Sequence, residues 1–524
     1  MEWKRVPRPA SVSGVKGSIA VFRTIPWSYW VLVLLSFGLV WALPYFPTQD
    51  GPSHLYNLVI LRDLLNGGRV WGEHFIHDLR ATPNLGFHLV AYPLLAFFSP
   101  RVVEKIFVSL YILLMTVSVP CFLRSFGNRP FPLSYLVFPL LFNYSVMMGF
   151  YSYSLAVPCM LLSMALAWSL REQSLLRRAL AFNLSGCVLF YLHLIPFSIF
   201  MLFLFIMTMV PSRGVGKGCR ELLTLVASTV PCIVIALHFL IKANTAHGSP
   251  FPYTVSISRF AWLSVEFLLL SLDTFQVWQI APWVVLAVVA YAMMRTQPAP
   301  HPDDERSRDA RRCVMATVIS VTLVYFSAPD NFAGGSLFNQ RLPWVVFLLV
   351  LPLLTVPATG FIARFQGVLF PGLALLFLAI NGFILHGESL RVEEYLAGMK
   401  AEIPQGSWIV SHKYPNTSWS RIDPLLHVAS YYGIEKGCVD AGNYEAVAPH
   451  FPVRFNPGAP GRPRSGLIEL APSLVDWSEF PAIRYVLGWE VASQDRERLK
   501  EDFTLVMEEG RVTLWQRKHG GGTE

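Results

Sequence analysis

A small set of polar side chains lies where long apolar runs of the sequence end, and their types suit transfer of a group from a phosphate. Ionisable residues at such boundaries are costly unless they face a cavity, so each is a candidate for function. A carboxylate can deprotonate an acceptor hydroxyl, while Arg or Lys can neutralise charge on a departing phosphate. The candidates are Asp50 and His54 in "TQDGPSH", His193 in "YLHLIPF", Lys242, and Asp330 and Arg341 on either side of "NFAGGSLFNQ".

Each candidate also has a structural alternative. Asp50 could cap the helix that follows it, since Asp before Gly-Pro is a good N-cap. His54 could be an interfacial residue, His193 a hydrogen-bonded packing residue, and Lys242 a side chain that extends from a helix end to the surface. Arg341 is the better cation, because it enters an apolar run just after a Gly-Gly loop and its planar group can hold two phosphate oxygens.

The composition indicates a protein with many membrane spans. Of the 524 residues, 53% are hydrophobic and 15% are charged, against roughly 25% charged residues in a soluble domain. Much of the net charge of +8 sits in short segments between apolar runs, where basic residues set topology. We therefore expect no nucleic-acid partner. The cysteine spacing predicts neither a structural metal nor a disulfide in the tail.

The basic segments predict how the chain crosses the membrane. With the N-terminus in the cytoplasm and the C-terminus outside, about eleven spans put every basic loop on the inner side. The segment 83–99 is not counted, because a crossing there would carry Arg124 and Arg129 outside; its prolines and polar Asn84 and His88 suit a helix on the outer surface. The spans are expected at about 27–46, 102–123, 131–146, 153–170, 178–193, 195–211, 221–241, 277–294, 312–328, 342–358 and 366–385.

The last part of the chain predicts a soluble domain. "GSWIVSH", "AIRYVLGWE" and "RVTLWQRK" are typical of strands, and "DPLLHVASYYGIEKG" and "SQDRERLKEDF" of helices. The expected fold is an all-α polytopic membrane domain over residues 1–385, with an outer segment at 47–101. A C-terminal extracytoplasmic α/β or α+β domain is expected over residues 386–524.

This arrangement resembles the GT-C superfamily of membrane glycosyltransferases, which includes the protein O-mannosyltransferases and the lipid A aminoarabinose transferases. The resemblance lies in an acidic residue after the first span, here Asp50 in "PTQDGPSHLYN", and in amphipathic helices of the first outer loop, here about 52–66 and 83–98. "TPNLGFHLVAYPLL" followed by "SPRVVEKIFVSLYILL" is similar to the family's surface helix and second span. Many members have two adjacent acids where this chain has Asp50 and Gly51.

The resemblance implies a catalytic Asp on the first outer loop and a polyprenyl-phosphate-linked sugar as donor. The expected function is inverting sugar transfer to an extracytoplasmic glycan, lipid or protein, in a bacterial inner membrane. Asp50 would be the base, Arg341 and Lys242 the phosphate clamp, and His54, His193 and Asp330 further substrate contacts. No specific cofactor is predicted, and a divalent metal is left open. The alternatives are a flippase for lipid-linked sugars, which would need internal repeats and a polar path, and a non-catalytic assembly subunit.

Overall fold

The computed structural model describes most of the chain. The described residues are 25–79, 82–126, 131–210, 215–246, 256–267, 288, 291, 305–331, 336–354, 360–413, 421–448, 451–459 and 471–518. The predicted span at 277–294 therefore lies almost wholly outside them. Side chains near the end of the helix that holds Lys242 are also outside the described part, so the position of that ammonium group stays a prediction.

Helices dominate the described residues up to Tyr395. They are α1 (Trp27–Ala42), α2 (Gly51–Leu65), α3 (Gly86–Leu94), α4 (Pro100–Ser125), α5 (Tyr144–Met147), α6 (Tyr151–Leu170), α7 (Leu175–Leu192), α8 (Leu194–Met209), α9 (Val215–Ala246), α10 (Ile257–Val265), α11 (Glu305–Ser327), α12 (Pro343–Val350) and α13 (Gly360–Tyr395).

Ten apolar helical segments coincide with ten of the predicted spans. By length and composition, six described helices are apolar enough to cross a membrane: Pro100–Ser125, Tyr151–Leu170, Leu175–Leu192, Gly218–Ile241, Glu305–Ser327 and Arg364–Lys400. Four shorter apolar segments are Trp27–Ala42, Phe131–Met147, Leu194–Met209 and Asn339–Leu353. A polytopic membrane protein is thereby supported, while the number of crossings and their direction stay predictions.

The two helices of the segment 47–101 differ in environment. Helix α3 has nine residues, with Pro93 inside it, and at about 1.5 Å per residue it is too short for a hydrocarbon layer of roughly 30 Å. Helix α2 has Pro52 in its first turn, where a missing N–H costs nothing. Its residues 51–58 are all buried, so α2 is not the amphipathic surface helix that the resemblance implied.

The tail contains a mixed sheet. Its elements are β2 (Trp408–Lys413), α14 (Ser430–Lys436), β3 (Val439–Asp440), β4 (Val453–Phe455), β5 (Ile483–Trp489), α15 (Ser493–Asp502), β6 (Phe503–Glu509) and β7 (Val512–Arg517). The five-stranded sheet has the order β3-β2-β5-β7-β6, with β2 parallel to β3 and β5 and the other pairs antiparallel. All three predicted strands are present. The predicted helix in "DPLLHVASYYGIEKG" is confined to α14.

The tail and the segment 47–101 are joined by backbone and side-chain contacts. Strand β1 (Phe75–His77) pairs antiparallel with β4, and Phe75 stacks on Phe455. Tyr56 of α2 donates a hydrogen bond of 2.7 Å to the carbonyl oxygen of Cys438. A Cβ on Gly433 of α14 would lie 2.3 Å from the Tyr56 ring, so glycine permits this close approach. Helix α13 continues through residue 385 to Tyr395, without a break at the predicted boundary.

Candidate active site

A tight backbone contact fixes the position of Asp50. The N–H groups of Gln49 and Asp50 donate to the carbonyl oxygens of Met147 and Met148, at 3.0 and 3.1 Å. The next residue, Gly149, has φ +85°, and a Cβ there would lie 2.7 Å from the nitrogen of Gly51. Although Asp50 precedes α2, its side chain makes no capping hydrogen bond. Its carboxylate is therefore not used to cap the helix.

Asp50 opens into a cavity of about 250 Å³ that brings four of the six predicted residues together. Asp50, His54, His193 and Arg341 all line it. Asp330 is not among the lining residues; its carbonyl oxygen accepts a 2.8 Å hydrogen bond from the N–H of Phe338. The remaining lining residues are Pro83, Asn84, Phe150, Tyr151, Tyr153, Leu194, Ile195, Phe239, Ser336, Phe338, Tyr444, Ala448 and Phe451.

Arg341 presents a cation held by aromatic rings. Its guanidinium carbon lies 4.0 Å from the centroid of the Phe150 ring and 5.9 Å from that of Tyr153. The Tyr153 hydroxyl donates to the Arg341 carbonyl oxygen, which fixes the backbone. Within the described part of the chain, Nε of Arg341 has no hydrogen-bond partner and no carboxylate forms an ion pair with the guanidinium. A half-buried cation in this state suits an anionic ligand, because a charge withdrawn from water requires compensation.

The surroundings of Asp50 place its titration close to neutral pH. Burial raises the pKa of the carboxyl group from 3.8 to about 6, against the opposing effect of the neighbouring His54. Nε2 of Gln49 donates to Oδ1 of Asp50 at 3.4 Å, and Nε2 of His427 lies 3.7 Å from the same oxygen. A carboxylate with this pKa is mostly ionised at pH 7 and is still a stronger base than an ordinary Asp.

His54 forms a buried ion pair with a residue of the tail. Its Nδ1 lies 2.9 Å from Oε1 of Glu445, and both side chains are nearly inaccessible to solvent. Burial lowers the pKa of His54. Glu445 and, less strongly, Asp50 raise it, and their combined effect is larger than that of burial, so the net shift is upward. The pKa of Glu445 shifts downward, since His54 outweighs burial. Both shifts favour the imidazolium and carboxylate forms of the pair.

His193 joins two helices at the cavity wall. It ends α7 and begins α8, and its Nδ1 accepts a hydrogen bond of 3.2 Å from the N–H of Ile195. Its ring meets Tyr153 edge to face, with centroids 5.1 Å apart. The packing role considered from the sequence is thus present, and the same imidazole also lines the cavity.

Sequence reasoning missed the contribution of the tail to this cavity. Tyr444 and Phe451 line it, Glu445 holds His54, and His427 lies beside Asp50. The segment "GNYEAVAPHF" that supplies three of these residues follows directly after β3. Loops at the carboxyl ends of parallel strands frequently form binding sites. That signal was present, but a two-residue strand is too short to recognise in the sequence.

The contacts around Gly51 give a structural reason why no second acid follows Asp50. A Cβ on Gly51 would lie 2.1 Å from Oγ1 of Thr48, 2.5 Å from the Tyr151 hydroxyl and 2.7 Å from Oε1 of Glu104. A second acid has no room at that position. Among the described residues, no group of three or more His, Cys, Asp or Glu side chains has an arrangement that could hold a metal ion.

Comparison with solved structures finds a loose similarity in fold. No protein-family model and no curated protein sequence matches the chain. The crystal structure of apo ArnT from Cupriavidus metallidurans aligns with 96% of this chain and 98% of its own, at a TM-score of 0.46 and 12% identity. At this level the similarity assigns neither a substrate nor a residue role.

Proposed function

We propose that the chain is a membrane glycosyltransferase of the GT-C type, which transfers a sugar with inversion from a polyprenyl-phosphate donor to an extracytoplasmic acceptor. The observation that carries the proposal is the cavity shared by Asp50 and Arg341. A carboxylate and an unpaired guanidinium face one space. Those are the two charges needed to take a proton from a hydroxyl and to stabilise a departing phosphate.

The reaction balances with these two groups. The acceptor oxygen attacks the anomeric carbon while Asp50 takes the hydroxyl proton. The bond from that carbon to the phosphate oxygen breaks on the opposite face, which inverts the configuration. The polyprenyl phosphate leaves with the electron pair, and Arg341 neutralises the added negative charge. The planar guanidinium can contact two phosphate oxygens at once.

The other walls suit a sugar ring. Phe150, Tyr151, Tyr153, Phe338 and Phe451 present apolar faces, and rings of this kind pack against the carbon skeleton of a sugar. His54 and His193 supply polar contacts for its hydroxyl groups. Asp330 would act on the loop that carries Arg341 rather than on the substrate, and the tail would cover the site and contact the acceptor.

The transferred sugar is best found first, by mass spectrometry of surface glycans and lipids from cells with and without the gene. Purified protein in liposomes is then supplied with undecaprenyl phosphate carrying that sugar in radiolabelled form, and with the acceptor found. Asp50→Asn should lower turnover by about 10²–10⁴-fold, because the base is lost while size is kept. Donor affinity should change little.

Arg341→Lys should weaken donor binding as well as the rate, since a point charge cannot replace the two-oxygen contact. Asp476→Asn and Arg101→Lys change residues outside the cavity lining and serve as matched controls. Near-normal transfer by Asp50→Asn would refute the proposal. A flippase would instead move the labelled lipid across the bilayer with its sugar still attached, and an assembly subunit would keep its full effect in the Asp50→Asn variant.

A further inference from the structure

We propose that Glu445 is a positioning residue, which acts through His54 to keep a positive charge on the cavity wall beside Asp50. The proposal deepens the proposed function by assigning part of the active site to the C-terminal domain. It stands on geometry: the Glu445 carboxylate lies 2.9 Å from the His54 imidazole. His54 lines the cavity and lies one helical turn after Asp50. Glu445 is not among the residues that line the cavity.

The surroundings of His54 leave Glu445 as its close ionic partner. The rings of Phe87, Tyr151 and Phe451 surround the imidazole, at centroid distances of 5.8 to 5.9 Å. An imidazole in so apolar a setting would be neutral without a carboxylate. The titratable groups that act on it are Asp50, His88, Glu104, Tyr151 and Glu445.

His88 shows what happens to a neighbouring imidazole without a paired carboxylate. It lies on α3 and is buried, and within the described residues no carboxylate lies at ion-pair distance from its ring, unlike that of His54. Burial lowers its pKa to about 4; the more distant Glu445 opposes this shift and His54 adds to it. Of the two buried imidazoles, only His54 has a pKa that shifts upward, toward the charged form. The Glu445 contact accounts for the difference.

The consequence for Asp50 has a defined sign. His54 lowers the pKa of Asp50 more than Glu445 raises it, so the pair as a whole favours ionised Asp50. Glu445→Gln removes the partner of the imidazolium and the largest effect that opposes burial, so the neutral form of His54 is favoured. Asp50 loses the larger of the two effects and its pKa rises. Asp50, the proposed base, then stays protonated, and therefore inactive, up to a higher pH.

The tail holds Glu445 in register with α2. The side-chain amides of Asn57 and Asn443 exchange hydrogen bonds of 2.9 and 3.0 Å, two residues before Glu445. The Tyr56 hydroxyl binds the carbonyl of Cys438. These contacts lie one turn from His54 on the same helix, so Glu445 is delivered by a fixed segment.

The first test follows the rate of transfer against pH. In the wild type the rate should rise through about pH 6. Glu445→Gln should move this midpoint to higher pH, His54→Gln should move it in the same direction, and the double variant should move it no further. Glu445→Asp should restore most of the wild-type profile. Glu435→Gln, which removes a half-exposed tail carboxylate paired with Arg101, should leave the profile unchanged.

An equal loss of rate at every pH in Glu445→Gln, or additive midpoint shifts, would overturn the proposal. The second test needs no activity: a double-mutant cycle of His54→Gln and Glu445→Gln on thermal unfolding in detergent, at pH 6 and pH 9. We expect coupling at pH 6 that falls at pH 9, where His54 loses its proton. Coupling that is absent at pH 6 or equal at both values would refute the charged pair. A charged pair in a protein without transferase activity would instead refute the proposed function alone.

Discussion

The side-chain amides of Asn57 in α2 and Asn443 in the tail bind each other reciprocally, at 2.9 and 3.0 Å. Both side chains are completely buried. One lies two turns after Asp50, and the other directly precedes Tyr444 and Glu445. This pair therefore joins the helix that carries the proposed base to the tail segment that completes the cavity.

The amide pair should be strongly coupled in stability. Asn443→Ala leaves the Asn57 amide buried without its partner, and an unsatisfied group of this kind costs about 1–3 kcal/mol. Asn57→Ala should cost a similar amount, and the double variant less than the sum, with a coupling of about 0.5–3 kcal/mol. Unfolding in detergent, followed by tryptophan fluorescence, measures all three. Purely additive costs would mean that the two amides do not depend on each other.

Replacing the proposed base should stabilise the protein at neutral pH. The pKa of Asp50 is raised from 3.8 to about 6, so the folded state disfavours the ionised form and stability falls as pH rises through this range. Asp50→Asn stays neutral. At about 1.4 kcal/mol for each pH unit, it should gain up to about 3 kcal/mol near pH 7 and almost nothing near pH 3.5. Unfolding midpoints at these two pH values decide the matter; an equal or lower stability of Asp50→Asn at pH 7 contradicts the prediction.

Gly149 should tolerate no side chain. Its φ is +85°, and a Cβ would meet the backbone nitrogens of Gly51 and Asp50 at 2.7 and 2.9 Å. Gly149→Ala should therefore displace Asp50 and cost about 1–3 kcal/mol or more. Gly372→Ala is the matched control, because its Cβ would meet nothing within 4 Å and alanine favours a helix by roughly 1 kcal/mol. Comparable unfolding temperatures for the two variants would contradict the close contact.

The predicted topology is open to labelling. In a cysteine-free background, Ser478→Cys of the tail should react with a maleimide that does not cross the inner membrane. The reagent is added to cells with a permeabilised outer membrane. Ser307→Cys, near the start of α11, should react only after the membrane is lysed. The reason is the placement of every basic loop in the cytoplasm. Labelling of residue 307 from outside would reverse the orientation.

The apolar runs by themselves determined the helices. A stretch of lipid-compatible residues must satisfy its backbone hydrogen bonds internally, so its location can be read along the chain without knowledge of its neighbours. Ten predicted spans coincide with helical segments for this reason. The tail strands were equally evident, because β-branched and aromatic runs such as "IRYVLGW" have a local preference for extended structure.

The candidate residues on the membrane side could be chosen from the sequence, since polar groups at the ends of apolar runs stand out, and their roles stay predictions. Asp50, His54, His193 and Arg341 line the same cavity. Their sequence positions are up to almost three hundred residues apart, and no local pattern indicates that they meet. Asp330 satisfied the same sequence criterion but does not line the cavity.

What the tertiary structure decided is the charge and the closure of the site. Nothing in "GNYEAVAPH" indicates that Glu445 pairs with His54, because the contact depends on how the tail packs on α2. The burial of Asp50 and the close contacts that exclude a side chain at Gly51 also depend on how distant parts of the chain pack together. Helix formation depends on neighbours in sequence, whereas a pKa and an ion pair depend on neighbours in space, and those exist only after the two parts of the chain have packed together.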